Sequence, residues 1–139
     1  KIGGKMVKRG YTKEHAKKGI DKKMPKIETW ENQFPSYEIN IEVPEFTSVC
    51  PKTKLPDFGL LVLRYIPDKK CIELKSFKMY LLAYRNLGIF YENAVNKILR
   101  DVVKSCNPLK ATLTGVFNTR GGMNCSVVVS YDREKGFGN

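Results

Sequence analysis

The spacing of apolar residues changes twice along this chain, from strand to helix and back to strand. This order of elements limits the folds that the chain can adopt. Alternating apolar and polar residues predict strands, and apolar residues three or four apart predict helices. In chain order the predicted strands and helices are Tyr37–Val43, Phe58–Ile66, Ser76–Asn86, Ile89–Cys106, Ala111–Phe117 and Met123–Tyr131, with a further short strand around Cys71–Leu74. We therefore predict an α+β fold, an antiparallel four-stranded sheet with two helices on one face.

The strand Phe58–Ile66 is nearly all apolar, which predicts burial on both of its faces. The two helices cover only one face of the predicted sheet. A chain of 139 residues offers no further element for the other face. We therefore expect copies of this chain to associate, so that the second face is covered by neighbouring subunits.

The chain carries a net charge of +11, and most of this excess lies in its first 26 residues. That segment has ten Lys or Arg against two acidic residues, whereas the remainder has fifteen against twelve. We interpret residues 1–27 as a basic arm, a mobile and solvated tail, ahead of one domain at residues 28–139. Contact with a polyanion is the alternative, although direct binding to tRNA is not expected.

The cysteines and the single histidine limit the kinds of catalytic and metal site that the chain can form. The four cysteines have no CxxC spacing, nothing resembles a secretory signal, and no apolar run reaches the length of a membrane span. We therefore expect reduced thiols and a cytoplasmic protein. The only histidine, His15, lies in the basic arm. Its position excludes a serine–histidine triad, a cysteine–histidine pair in the core and a histidine-rich zinc site, and we expect no metal.

A turn-rich stretch from Pro44 to Asp57 contains three prolines and predicts a loop that holds or adjoins Cys50 and Asp57. A lone cysteine is more often a small buried hydrophobic residue than a nucleophile. The carboxylate seven residues after Cys50 favours chemistry. A thiol with a pKa of about 8.5 needs help to ionise at neutral pH, and here Asp57 or a nearby cation has to supply it.

Four segments resemble motifs of the 7-cyano-7-deazaguanine reductases, the QueF family. Glu73–Tyr80 fits the eight-residue signature of that family at seven positions, and Met79 takes the place of the usual Leu or Tyr. The other three segments resemble, in family order, its nucleophile loop, its substrate element and its late basic turn. They are Glu45–Phe58, Phe90-Tyr91-Glu92 and Arg120-Gly121-Gly122.

The resemblance implies the tunnelling fold, whose subunits run strand, strand, helices, strand, strand, in agreement with the order predicted above. In this fold, subunits join edge to edge into a barrel, and active sites form between subunits. Single-module members resemble two stacked pentameric rings, so a homo-oligomer of ten copies is expected.

The resemblance also implies the reaction, which is reduction of the nitrile of 7-cyano-7-deazaguanine to an aminomethyl group with two NADPH, in queuosine biosynthesis for tRNA modification. Cys50 corresponds to the nucleophile that forms a covalent thioimide, and Asp57 corresponds to the proton donor. The implied substrate-binding residues are Ile72, Glu73, Leu74, Tyr91 and Glu92. The implied cofactor-binding residues are Lys75, Lys78, Arg120, Gly121 and Gly122.

Tyr91 departs from the family pattern, which has histidine at this position. A phenol can donate a hydrogen bond, but it cannot shuttle a proton at neutral pH.

Three other functions remain alternatives. A QueF-like archaeosine synthase, which adds ammonia to a nitrile carried on tRNA, would explain the basic arm but lacks the signature at Glu73–Tyr80. A zinc-dependent cyclohydrolase of the same fold needs ligands that this core lacks. An RNA-binding module would interleave aromatic and basic residues, a pattern not seen outside the arm.

Overall fold

A computed structural model describes residues 10–138, apart from the side chain of Arg120. The first nine residues of the predicted arm lie outside the described residues. The helices are α1 (Lys13–Lys17), α2 (Leu74–Leu82) and α3 (Tyr91–Cys106). The strands are β1 (Thr29–Glu31), β2 (Ile39–Val49), β3 (Pro56–Ile66), β4 (Lys70–Ile72), β5 (Lys110–Arg120), β6 (Met123–Asp132) and β7 (Gly136–Phe137).

The main sheet is antiparallel throughout, in the order β2-β3-β5-β6-β7, and β1 pairs with β4 in a second sheet of two strands. The predicted α+β class and the order of its main elements are confirmed. The predicted count of four strands is one short, because β7 adds a fifth. Strands of two or three residues, such as β1 and β7, are too short to show an alternating pattern.

The predicted loop after Val43 is wrong in its first half, since β2 continues through Pro44 to Val49. A proline within a strand is tolerated here for two reasons. Strand β2 lies at the edge of the sheet, and its register with β3 shifts at a bulge between Val43 and Phe46. The remaining loop is short, from residue 50 to residue 55. Cys50 is its first residue, and Asp57 follows it as the second residue of β3.

Helices α2 and α3 pack on one face of the main sheet. The buried residues of α3 recur at three- and four-residue spacing, and they are Ala94, Val95, Ile98, Leu99, Val102 and Cys106. The hydroxyl groups of Tyr80 and Tyr84 on the α2 side hydrogen-bond to each other at 2.8 Å, and the Tyr80 hydroxyl also donates to the Asp101 carboxylate of α3. A buried polar network therefore fixes the two helices against each other.

The opposite face of the sheet is only partly covered within one chain. Phe58 is 50% exposed, Val116 44% and Val128 61%, and all three lie on the face away from the helices. The burial predicted for both faces of the second strand is therefore not reached in a single copy. No helix in the described part of the chain is long and apolar enough to span a bilayer.

The described part of the predicted arm, from Gly10 onwards, contacts the domain. The ring of Tyr11 lies 5.1 Å from the ring of Phe90, and the Asn93 side-chain amide donates to the carbonyl of Ala16 at 2.7 Å. Ile27 is buried in the core. The division at residue 27 into a mobile arm and a domain stays a prediction.

Candidate active site

Cys50 lies directly after β2, at the start of the turn that leads into β3. Its N–H donates to the carbonyl of Leu55, and its own carbonyl accepts from the N–H of Lys54, both at 2.9 Å. Lys54 has a left-handed backbone (φ 63°) that tightens this turn. The thiol is therefore held on a closed, hydrogen-bonded turn.

A second set of backbone contacts ties this turn to the segment that precedes α3. The N–H of Val49 donates to the carbonyl of Leu87 at 3.0 Å, and the N–H of Ile89 donates to the carbonyl of Val49 at 2.9 Å. Because α3 begins two residues after Ile89, these bonds fix the start of α3 relative to Cys50.

Cys50 is 6% exposed, and the surroundings of its thiol lower the pKa below the ordinary value. Burial opposes ionisation, but the Thr53 hydroxyl and the N–H groups of Thr53 and Lys52 outweigh it by hydrogen bonding to the sulfur. The Thr53 N–H lies 3.5 Å from the Cys50 Sγ atom. The negative charge of Asp57 acts in the opposite direction. The thiol therefore ionises more readily than an ordinary cysteine, and the thiolate is the nucleophilic form.

Asp57, the second residue of β3, is 5% exposed and pairs across the strands with Ser48. Ser48 is also fully buried, and its hydroxyl has no hydrogen-bond partner among the described residues. A buried hydroxyl without a partner is uncommon in folded proteins. The strand register therefore sets two buried polar side chains beside each other, next to the turn that holds Cys50.

Tyr91, the first residue of α3, faces the same cavity as Asp57, a space of about 320 Å³ that Leu55 and Asn118 also line. Its ring stacks on Phe117, with centroids 4.0 Å apart. The pKa of the Tyr91 phenol is raised, first by a hydrogen bond with the Cys125 side chain and then by burial and nearby negative charge. The phenol therefore stays protonated at neutral pH and can donate a hydrogen bond.

Glu92 follows Tyr91 in the first turn of α3, and it is exposed. Partial positive charge at a helix N-terminus favours a carboxylate at this position. The carboxylate is therefore available to a ligand, close in sequence to the cavity beside Asp57.

The Arg120-Gly121-Gly122 turn joins β5 to β6, at the same end of the sheet as Asp57. Both glycines have positive φ angles, 55° and 79°, and a Cβ atom at either would meet nothing within 4 Å. The backbone of this turn is thus open to close approach by a ligand.

The remaining predicted residues surround the start of α2. The Glu73 carboxylate caps that helix, since it accepts hydrogen bonds from the N–H groups of Lys75 and Ser76, both at 2.8 Å, and these bonds lower its pKa. Ile72 is buried, whereas Leu74, Lys75 and Lys78 are exposed.

These two groups of residues lie at opposite ends of the sheet in one chain. The N–H of Ile72 donates to the Tyr65 hydroxyl at 2.9 Å, and Tyr65 pairs with Ile39, the first residue of β2. Cys50 follows the last residue of β2, Val49. Ten strand residues at 3.3 Å each give β2 a length of about 30 Å. One chain therefore brings Cys50, Asp57 and Tyr91 together, and it holds Ile72 toward the other end of β2.

Sequence reasoning missed three residues that shape the site, namely Ser48, Thr53 and Phe117. Thr53 and Ser48 both lie within the segment that resembles the nucleophile loop, so their position was the only available signal. The stacking of Phe117 on Tyr91 arises from tertiary packing between β5 and α3, which no local pattern reveals.

Comparison with known proteins places the chain in a family. The QueF-like protein family matches residues 56–136. The NADPH-dependent 7-cyano-7-deazaguanine reductase of Elusimicrobium minutum (strain Pei191) is 59% identical over 126 residues, 90% of this chain and 96% of that protein. The enzyme of the same name from Chloroherpeton thalassium (strain ATCC 35110 / GB-78) is 54% identical over 111 residues, 78% of this chain and 96% of that protein.

Among solved structures, the archaeosine synthase QueF-Like in its apo form superposes with a TM-score of 0.66 at 25% identity. The match covers 73% of this chain and 97% of that one. The chain therefore belongs to the QueF-like family, as the four motifs predict, and it has the tunnelling fold. Closure of a barrel by several copies stays a prediction.

Replacing Thr53 with Val should slow alkylation of Cys50 by iodoacetamide near neutral pH. The change removes a hydroxyl that lowers the pKa of the thiol, so the pH profile of alkylation should shift upward while the rate at high pH stays the same. Peptide mass spectrometry measures the rate at each cysteine.

Thr53→Ser keeps the hydroxyl and serves as the control, which should retain the wild-type profile. Cys106 should react slowly, because burial raises its pKa to about 12. An unchanged profile in the Val variant would contradict the assignment of Thr53.

Proposed function

We propose that this chain is an oxidoreductase that reduces the nitrile of 7-cyano-7-deazaguanine to an aminomethyl group at the expense of NADPH. The observation that carries the proposal is the Cys50 thiol, activated on a closed turn beside the buried Asp57. Relatives that share more than half of their residues with this chain, and are named for this activity, support it.

Cys50 is the nucleophile in this proposal. Its thiolate attacks the nitrile carbon and forms a carbon–sulfur bond, while an electron pair of the triple bond moves to the nitrogen. Asp57 is the carboxyl group that passes a proton to that nitrogen, which yields a thioimide. A thiolate is also a competent leaving group, so Cys50 can depart once the carbon has been reduced.

Tyr91 and Glu92 bind the substrate. The protonated Tyr91 phenol, fixed against Phe117, covers the base and donates a hydrogen bond without changing its charge. The exposed carboxylate of Glu92 accepts paired hydrogen bonds from the ring N–H and the exocyclic amine of the deazaguanine. The backbone of Ile72 and Leu74, together with Glu73, lines the other side of the base.

Lys75, Lys78 and the Arg120-Gly121-Gly122 turn hold the cofactor. The residues fit NADPH, because exposed cations suit its phosphates and the open glycine turn admits its backbone contacts. NADPH supplies the hydrides, and two are needed to take one nitrile to a primary amine. A reaction that needs NADPH and a reduced thiol suits the cytoplasm.

The active site is shared between two copies of the chain in this account. The Ile72–Lys75 segment lies toward the first residue of β2 and Cys50 follows its last residue, so in this proposal a partner copy brings its own segment to Cys50. The edge strand β2 and the exposed side chains Phe58, Val116 and Val128 provide surfaces for this association. The family resemblance favours ten copies in two stacked rings.

The archaeosine synthase chemistry is the alternative function, favoured by the superposition on that enzyme. Its 25% identity is well below the 59% of a named reductase, and this chain keeps the lysines of the reductase signature. The reductase proposal requires no contact with tRNA.

Asp57→Asn should lower the rate of NADPH oxidation about 10²- to 10⁴-fold, because the amide keeps the shape of the side chain but cannot donate the proton. Absorbance of the nicotinamide measures the rate, and the wild-type chain should consume two NADPH per nitrile. Turnover close to wild type in the Asn variant would make Asp57 a structural residue. Absence of NADPH oxidation by the wild-type chain, with ammonia added to nitrile-bearing tRNA, would establish the alternative.

Mixed oligomers test the shared site. Cys50→Ala and Lys75→Ala should each be nearly inactive alone, since each lacks one half of every site. Unfolding and refolding the two variants together should restore activity, because some sites then combine an intact Cys50 with an intact Lys75 from the partner. Activity no higher than that of the separately refolded variants would contradict a site built from two copies.

A further inference from the structure

A groove of about 780 Å³ runs between α2 and the edge strand β2, and it is larger than the cavity beside Asp57. Its apolar floor is formed by Ile41, Val43, Phe46, Phe77 and Leu81. The volume lies within the range typical of sites for small molecules. The groove also contacts Leu74 and Lys78, which belong to the segment proposed above to bind substrate and cofactor.

Two cations, Lys78 and Arg85, border the helix side of this groove. Both are exposed, and neither forms an ion pair or a hydrogen bond with another described residue. Glu42 also borders the groove, but it pairs with Val62 and alternates with the inward-facing Ile41 and Val43. Its side chain therefore lies on the face of the sheet away from α2.

Glu45 also borders the groove, and it lies in the bulge of β2 between Val43 and Phe46, so the acidic residues of the groove belong to its strand side. On the helix side, the charge of the groove is therefore positive. An apolar floor with two unpaired cations suits a ligand that joins a planar ring to two separate anionic groups.

The spacing of the two cations is fixed. Helical turns continue beyond α2, since the N–H of Arg85 donates to the carbonyl of Leu82 at 3.1 Å and that of Tyr84 donates to Leu81 at 3.1 Å. Arg85 follows Lys78 by seven residues, which is about 10 Å along a helix axis. Along the helix axis the order is Lys75, which lies outside the groove lining, then Lys78 and Arg85, which both line the groove.

We propose that this groove holds the adenosine half of NADPH, with Lys78 at the diphosphate and Arg85 at the 2′-phosphate. The inference rests on the proposed function, and it adds the residue that distinguishes NADPH from NADH. The guanidinium of Arg85 can form paired hydrogen bonds to a phosphate monoester, and the adenine lies on the apolar floor. The nicotinamide then extends past Lys75 toward the reacting nitrile.

Calorimetric binding of NADPH and of NADH to the full chain tests this assignment without any turnover. Arg85→Ala should weaken NADPH binding about tenfold to a hundredfold, the effect of losing hydrogen bonds between charged groups. The same variant should leave the Kd for NADH unchanged, since NADH has no 2′-phosphate. Lys78→Ala should weaken both dinucleotides, because both contain the diphosphate.

Arg100→Ala is the matched control, because Arg100 is an exposed arginine of α3 that does not line the groove. It should bind both dinucleotides as the wild type does.

Equal Kd values for wild type and Arg85→Ala, or equal losses of affinity for NADPH and NADH, would overturn the assignment of Arg85 and leave the proposed function intact. Oligomers that dissociate in Arg85→Ala, measured by light scattering, would assign Arg85 to a contact between copies. Failure of the wild-type chain to bind NADPH would instead sink the proposed function.

Discussion

The register between β2 and β3 decides which side chains meet at the reacting thiol. The pairing of Val49 with Pro56 closes the turn that holds Cys50, and the pairing of Ser48 with Asp57 sets a carboxyl group on the inner face beside it. The backbone bonds of Val49 then fix the start of α3, and with it Tyr91. A slip of one residue would turn Asp57 to the opposite face of the sheet, and the site would lose the carboxyl group that we propose as the proton donor.

The same hairpin of β2 and β3 also separates the two groups of candidate site residues within one chain. Eleven residues in β2 carry the chain from Ile39, near the Ile72–Lys75 segment, to Val49 beside Cys50. In the proposed arrangement, a single copy therefore holds two half-sites at its two ends. An edge strand that is open to pairing, and a sheet face with exposed apolar side chains, are the features expected of a chain that completes its sites with a partner. Under the proposed function, catalysis and assembly thus both depend on the β2–β3 hairpin.

Much of this fold could be predicted from the period of the apolar residues, because β3, β6 and α3 each bury a regular face. The continuation of β2 past Pro44 could not, since it depends on the edge position and a bulge, which are properties of the sheet. Cys50 and Asp57 stood out through their resemblance to a family, and the comparisons confirm that family. The thiol-activating hydrogen bonds of Thr53, the stacking of Phe117 and the groove beside Arg85 arise from tertiary contacts that spacing does not encode.

Covalent capture of the nitrile tests the central claim most directly. The full chain is incubated with 7-cyano-7-deazaguanine in the absence of NADPH, and intact-mass and peptide mass spectrometry follow the product. We expect a mass gain of one whole substrate molecule per modified chain, on the peptide that contains Cys50, and no gain in Cys50→Ala. Absence of an adduct, in the buffer in which the chain turns over once NADPH is added, would contradict the role of Cys50. An adduct on Cys71, Cys106 or Cys125 would contradict it as well.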